Sequence, residues 1–275
     1  MNVVIFSLDR AAQLDALLRS YKMHCGDWDK NNTVVLAKCS GGPMREGYQR
    51  VMGLHNDPSI KWVWEPALPS SFKQFVLSSL DLDHHKLTMF LVDDIVFKDG
   101  FSTSDPEFNL LMSDQRVLCL SLRLWNGITY CYPTDSSVTP PLVQPNGVFT
   151  WTGSQGDWGY PMSLDGHVFR TTQIKYLLSA IAFHNPNTME SKMAESAWWF
   201  AQTQPSMVCY PYGSKLVNIP ANRVQNTCLN RVGNTATTEQ LNEEFLAGKR
   251  LNTTRLIKYP NNAPHMELSL MWEQA

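Results

Sequence analysis

The chain has 275 residues, 43% hydrophobic and 11% aromatic, enough apolar material for a substantial core and against a disordered chain. Its 23 Lys and Arg against 25 Asp and Glu leave a formal charge of −2, without the basic excess of a nucleic-acid surface. Six scattered cysteines (Cys25, Cys39, Cys119, Cys131, Cys209, Cys228) make no C-x-x-C pair, which argues against a zinc ribbon or redox motif.

Residues 3–8 (VVIFSL) are a continuous apolar run of the kind buried parallel strands show. Leu14, Leu17, Leu18 and Tyr21 at helical spacing predict a helix over 11–23. A second strand over 33–37 is closed by the turn signal Ser40-Gly41-Gly42-Pro43. A helix carrying Tyr48, Val51 and Met52 follows, then a short strand at 61–64, a helix at 72–80 and a fourth strand at 87–92. Strands alternating with helices predict an α/β fold with a mixed, mainly parallel sheet flanked by helices. Residues 125–168 are rich in Trp, Tyr, Pro, Gly and Asp with little periodicity, the composition of a functional loop region. Helices at about 171–183 and 188–202, a strand near 215–219 and a polar helix near 238–247 complete the chain. The expectation is one continuous domain over 1–275, with a donor half at 1–100 and an acceptor half at 101–275. The N-terminus goes straight into a strand pattern, and no stretch reaches the roughly 18 apolar residues of a membrane span. The expected setting is cytoplasmic, with no membrane span and no nucleic-acid partner.

Ligands of open α/β sheets bind beyond the carboxyl ends of the strands. The strand at 87–92 runs directly into Asp93-Asp94, with apolar residues on both sides. Adjacent buried carboxylates repel and are costly to desolvate, so they coordinate a cation or are otherwise paired. A hard cation there would bridge a diphosphate and neutralise a leaving group. The same pair also reads as a strand-end turn with Asp94 capping a helix.

The stretch Phe90–Phe97 resembles the D-x-D-type signature of family 2-like glycosyltransferases of the GT-A fold, in its E-D-D variant with Val92 in the first acidic place. The resemblance implies a nucleotide-diphosphate sugar donor, a glycan or other hydroxyl acceptor, and Mn²⁺ or Mg²⁺ on the diphosphate. By position, Asp94 would be the metal ligand and Asp93 the donor contact. Ile5–Arg10 and Leu36–Ser40 resemble the strand ends that cradle the nucleotide, bringing in Ser7, Asp9 and Ser40 as donor contacts. Lys73 would reach the nucleotide or diphosphate. Ser7 and Ser40 also read as ordinary turn residues, and Lys73 as a solvated helix face.

Asp157–Arg170 resembles the family's sugar-facing loop, whose Gly-containing turn admits the donor sugar. The resemblance puts a base at the start of the following helix, where Glu190 stands, with Asp165 and Asp157 behind it. Glu190 also reads as part of a capping box led by Asn187 or Thr188. His265 would complete the metal site, and Asn222–Gln225 could face the cleft. The loop indoles Trp125 and Trp158 are expected to contact acceptor, whereas Trp198 and Trp199 read as core. The triplet Asp83-His84-His85 reads as solvated. A competing nucleotidyltransferase would be expected to carry a Gly-rich basic loop after the first strand, which Ser7–Arg10 lacks. A non-catalytic carbohydrate-binding protein would not need the parallel-sheet half.

Overall fold

The structure, a computed structural model, describes residues 1–65, 71–224, 231–233 and 236–274. The first part of the chain alternates strand and helix: β1 (Asn2–Leu8), α1 (Ala11–His24), β2 (Asn32–Lys38), α2 (Gly42–Leu54), β3 (Ile60–Trp64), α3 (Phe72–Ser78), β4 (Leu87–Val92) and β5 (Ile95–Phe97). The remainder holds α4 (Pro106–Ser113), β6 (Val117–Ser121), β7 (Tyr130–Cys131), β8 (Ser136–Ser137), β9 (Val148–Thr150), β10 (His167–Arg170) and α5 (Thr171–Ala180). It ends with α6 (Pro186–Glu195), β11 (Ser206–Cys209), β12 (Leu216–Asn218), α7 (Thr238–Leu246), β13 (Lys249–Leu251) and β14 (Trp272–Gln274).

The main sheet has the order β3-β2-β1-β4-β10-β6-β11-β9. Strands β3, β2, β1 and β4 are mutually parallel, and β10 runs against both β4 and β6. Strand β11 is parallel to β6 and antiparallel to β9. All strands but β10 and β9 therefore point the same way, so their carboxyl ends gather along one edge. This is a mixed, mainly parallel α/β sheet flanked by helices. Its register is fixed by two-sided burial: Val3, Val4 and Ile5 of β1 and Met89, Phe90 and Leu91 of β4 are all fully buried.

The two faces carry separate apolar layers. Leu14, Leu17, Leu18 and Tyr21 of α1 pack with Ile5 and Leu91 on one face. Phe72 and Val76 of α3 and Ile174, Leu177 and Leu178 of α5 pack with Phe6 and Phe90 on the other. Burial of each such side chain contributes about 1.5–3 kcal/mol. Beyond β4, the small β5–β12 sheet carries the chain away from the main sheet, and no helix follows Asp94 for it to cap.

Three elements depart from the sequence reading. The sheet strands β10 and β11 are only four residues long, too short for alternation to mark them. The helix expected over 188–202 ends at Glu195, and a separate 3₁₀ turn spans Ala197–Trp199. Trp198 and Trp199, expected in the core, are 72% and 46% exposed because that turn carries them outward.

Candidate active site

A cleft of about 640 Å³ opens at the carboxyl edge of the sheet. One wall comes from the ends of β1, β2 and β4 and the start of α3, including Phe6, Ser7, Leu36, Phe72, Asp93 and Asp94. The other comes from the segments around β6, the 3₁₀ turn Gly156–Gly159, the turn before β10 and the start of α6, including Arg123, Asp157, Asp165 and Glu190. His265, Asn218 and Asn222 close the site from the C-terminal part.

Asp93 is fully committed within the protein. Its Oδ2 accepts from Ser7 Oγ at 2.9 Å and from the Leu8 backbone N–H at 3.1 Å, and its Oδ1 accepts from Arg10 Nη1 at 3.0 Å. Tyr48 of α2 packs its hydroxyl 2.7 Å from Ser7 Oγ and accepts the Arg10 N–H at 3.3 Å, fixing this loop. Asp94 is less fully served. Asn218 Nδ2 donates to Oδ1 at 3.1 Å, and Arg10 Nη1 stands 3.5 Å from Oδ2. Burial pushes the Asp94 carboxyl up to about 6; Arg10 opposes this, while Asp93 and Asp165 reinforce it. Arg10, which the sequence reading left without a role, is buried, with Nε donating to Asn222 Oδ1 at 2.8 Å and Nη2 to the Asn222 carbonyl. Burial opposes its charge, but Asp93 and then Asp94 hold its pKa above the ordinary value.

The opposite wall is organised by Arg123, another residue the sequence did not single out. It is 1% exposed, with Nη2 donating to Asp157 Oδ1 at 2.8 Å and Nη1 to Asp165 Oδ2 at 3.0 Å. His265 Nε2 lies 3.2 Å from the same Asp165 oxygen. Burial works against ionisation of Asp165, but the hydrogen bond and charge of His265, with Arg123, hold its pKa below the ordinary value. The turn itself depends on Gly166, at φ +77°, whose N–H donates to the Phe90 carbonyl at 2.9 Å. A Cβ there would come within 2.3 Å of Leu216 Cδ2.

Glu190 Oε1 accepts the Leu164 backbone N–H at 3.1 Å, next to Asp165. Burial, then the Asp165 charge, raises its pKa to about 7, with the Leu164 N–H and Arg123 pulling the other way. The capping-box reading of Glu190 is corrected. Asn185 caps α6, its Oδ1 accepting the Thr188 N–H at 2.8 Å while Thr188 Oγ1 accepts the Asn185 N–H. Glu190 is thereby left to the cleft.

Several other expected site residues are engaged elsewhere. Asp9, at φ +53°, accepts the Ser40 N–H at 2.7 Å, so these two tie the β1 and β2 ends together by turn chemistry and do not line the cleft. Lys73 donates to the carbonyls of Ser179 and Ile181 at 2.8 and 2.7 Å; it closes the end of α5 rather than facing a diphosphate. Trp158 is fully buried, its Nε1 donating to the Ile128 carbonyl at 3.0 Å and its ring edge-on to Phe149, so it is core. Trp125 Nε1 donates to the Asn261 carbonyl at 2.8 Å, and Trp125 does not line the cleft. Asn222, Arg223 and Val224 do line it, and Gln225 lies outside the described residues. His84 pairs with Asp81 on the surface, 78% exposed.

Both expected metal ligands, Asp94 and His265, line the cleft. Among the described residues no group of three or more His, Cys, Asp or Glu is arranged to hold a metal ion. His265 turns its Nε2 to Asp165, which raises its pKa against the opposing effect of burial, and its buried Nδ1 has no hydrogen-bond partner among the described residues. A carboxylate on one ring nitrogen with the other left unpartnered is an arrangement that also orients metal-ligating imidazoles. The under-neutralised Asp94 oxygen fits a hard cation whose remaining partners would include bound ligand or water.

The site is thus a two-walled cleft at the carboxyl edge of an α/β sheet, lined by carboxylates and by basic side chains such as Arg10 and Arg123. No protein-family model matches the chain. Among curated proteins it is similar to the bifunctional glycosyltransferase pgtA of Dictyostelium discoideum, 24% identical over 293 residues. The match covers 96% of this chain but 37% of that protein, so the chain spans little more than a third of its relative. The relative is a glycosyltransferase, the class the sequence resembles. Among solved structures, S. aureus TarS 1-349 in complex with UDP-GlcNAc is 12% identical at a TM-score of 0.49, over 82% of this chain and 60% of that one. The mannosyltransferase PcManGT of Pyrobaculum calidifontis, in complex with GDP-Man and Mn²⁺, is 12% identical at 0.43, over 77% and 55%. A cytidylyltransferase of Leptospira borgpetersenii is 11% identical at 0.45, over 94% and 97%. At these scores none of the three bears on the activity of this chain. Among the described residues no helix is long and apolar enough to cross a membrane.

Proposed function

We propose that the chain transfers a glycosyl group from a nucleotide-diphosphate sugar to a hydroxyl acceptor, with inversion. The observation that carries this reading is Glu190, a carboxylate with pKa near neutrality, facing the same cleft as Asp94 at the strand edge. The curated relative supports glycosyl transfer as the reaction class.

In this reading residues 1–100 form the donor half and 101–275 the acceptor half of one unit. The apolar side chains of Phe6, Leu36 and Phe72 line the donor wall, with Ser7 and Asp93 shaping its floor. Glu190 takes the proton of the acceptor hydroxyl as that oxygen attacks the anomeric carbon. The bond from that carbon to the diphosphate oxygen breaks on the opposite side, and the electron pair leaves with the nucleoside diphosphate. A single displacement of this kind inverts the anomeric centre. Asp165 stays ionised between Arg123 and His265 and keeps the Glu190 carboxyl basic. Mn²⁺ or Mg²⁺, when bound, would be held by Asp94 and would supply positive charge to the leaving diphosphate.

The test is slow donor hydrolysis, in which water replaces the unknown acceptor. A panel of nucleotide sugars is incubated with wild-type protein and with Asp94→Ala, each with and without Mn²⁺, and released nucleoside diphosphate is measured. Release from one nucleotide family, lost in Asp94→Ala, is expected. Equal release by the two proteins would remove Asp94 from the mechanism.

A further inference from the structure

We propose that Arg10 is the resident counter-ion of the Asp93–Asp94 pair and competes with a divalent cation for Asp94. The inference rests on the proposed cation at Asp94 and concerns what the chain itself does to that cation's affinity.

The guanidinium is anchored on three sides. Nη1 reaches Asp93 Oδ1 at 3.0 Å and Asp94 Oδ2 at 3.5 Å, Nε donates to Asn222 Oδ1 at 2.8 Å, and Nη2 donates to the Asn222 carbonyl. It is 9% exposed, so solvent screens these contacts poorly. One guanidinium against two carboxylates leaves the pair one positive charge short, and the shortfall is uneven. Asp93 has Ser7, the Leu8 N–H and the shorter contact to Arg10, whereas Asp94 has Asn218 and only the longer one. Asp94 Oδ2 is therefore where a second cation would be drawn. A cation bound there would stand within a few ångströms of Nη1, and the two like charges repel. Arg10 cannot simply withdraw, because Asp93 and Asn222 hold it independently of Asp94. The contact that must lengthen is the 3.5 Å one, so Arg10 limits how tightly Asp94 takes a cation while keeping Asp93 neutralised.

The test measures equilibrium binding of Mn²⁺ alone to the full chain, following the EPR signal of the free ion. Arg10→Gln keeps a polar group beside Asn222 and removes the charge. It should bind Mn²⁺ about tenfold tighter or more, the size of effect one adjacent opposite charge has on a carboxylate. Arg10→Lys, whose single ammonium cannot span Asp93, Asp94 and Asn222 together, should gain in the same direction but less, and it decides the matter if the Gln variant does not fold. The gain should vanish when Asp94→Asn is added to either variant. A folded Arg10 variant that binds Mn²⁺ no tighter than wild type, or a gain that survives Asp94→Asn, overturns the inference. If wild type still hydrolyses a nucleotide sugar in that case, only the role of Arg10 falls; if it binds no nucleotide sugar either, the functional reading falls as well.

Discussion

Glu190 accepts the backbone N–H of Leu164 at 3.1 Å, and that bond sets the candidate base beside the ionised Asp165. The amide fixes the direction of the carboxylate without neutralising it. Replacing Glu190 by Gln keeps the amide contact but removes the proton acceptor. Glu190→Gln should lower donor turnover by about a hundredfold to ten-thousandfold, with nucleotide affinity within about threefold of wild type. Steady-state kinetics paired with calorimetric binding check this. An equal loss in both quantities would make Glu190 a binding residue.

The rate should also follow the titration of Glu190. A base works only when ionised, so kcat should rise with pH through about 7 and level off above it. Arg123 lowers the Glu190 pKa, and its removal should move that rising limb to higher pH. Arg123→Met also strips Asp157 and Asp165 of their shared cation, which should cost about 3–5 kcal/mol of stability. A pH–rate profile and a denaturant melt separate the two effects.

Stability should depend on pH in two opposing ways. Glu190 holds its proton more tightly folded than unfolded, so the native state binds the extra proton between the ordinary carboxylate value, about 4, and about 7. Its contribution therefore falls as pH rises through that window, and Glu190→Gln should flatten the slope of Tm there. Asp15 behaves in the reverse sense. It is fully buried and burial opposes its charge, but His55 Nε2 at 2.9 Å, Arg250 Nε at 2.9 Å and Arg19 Nε at 3.0 Å hold it down to about 2. That stabilisation is complete above about pH 4 and is lost as pH falls toward 2. Asp15→Asn should cost about 3–5 kcal/mol by removing the buried carboxylate that Arg19, Arg250 and His55 share, although Arg19 keeps Glu273.

Two further substitutions separate core from site. Trp158→Phe should lower stability by about 1–2 kcal/mol through the lost bond to Ile128, without altering donor KM, because the indole is core. Gly166→Ala should impair both stability and turnover, since its Cβ meets Leu216 and the strained φ displaces the turn that carries Asp165. Thermal melts and donor hydrolysis on both variants check these outcomes; a Trp158→Phe variant with raised KM and unchanged Tm would return the indole to the site.

The donor half was legible because β1, β2 and β4 are mostly apolar strands of six or seven residues buried on both faces, and Asp93-Asp94 follows one of them directly. The acceptor-half strands are shorter, and their order in the sheet, with β10 inserted between β4 and β6, depends on contacts no local pattern carries. Arg10 and Arg123 escaped for the same reason. Arg10 meets Asp93 across 83 residues, and Arg123 meets Asp157 across 34, so neither pairing has a local signature. Lys73 and Trp158 misled because residue type suits a ligand contact equally well when the partner is a backbone carbonyl.

The central claim is that the cleft between Asp94 and Glu190 takes a nucleotide-diphosphate sugar. Its most direct measurement is equilibrium binding of uridine, guanosine, cytidine, adenosine and thymidine diphosphate sugars to the wild-type chain by calorimetry, with and without Mn²⁺. The account predicts saturable binding of one nucleotide family, displaced by the matching nucleoside diphosphate and weakened in Asp94→Ala. Absence of binding for every nucleotide sugar in both conditions, by folded protein, would contradict it.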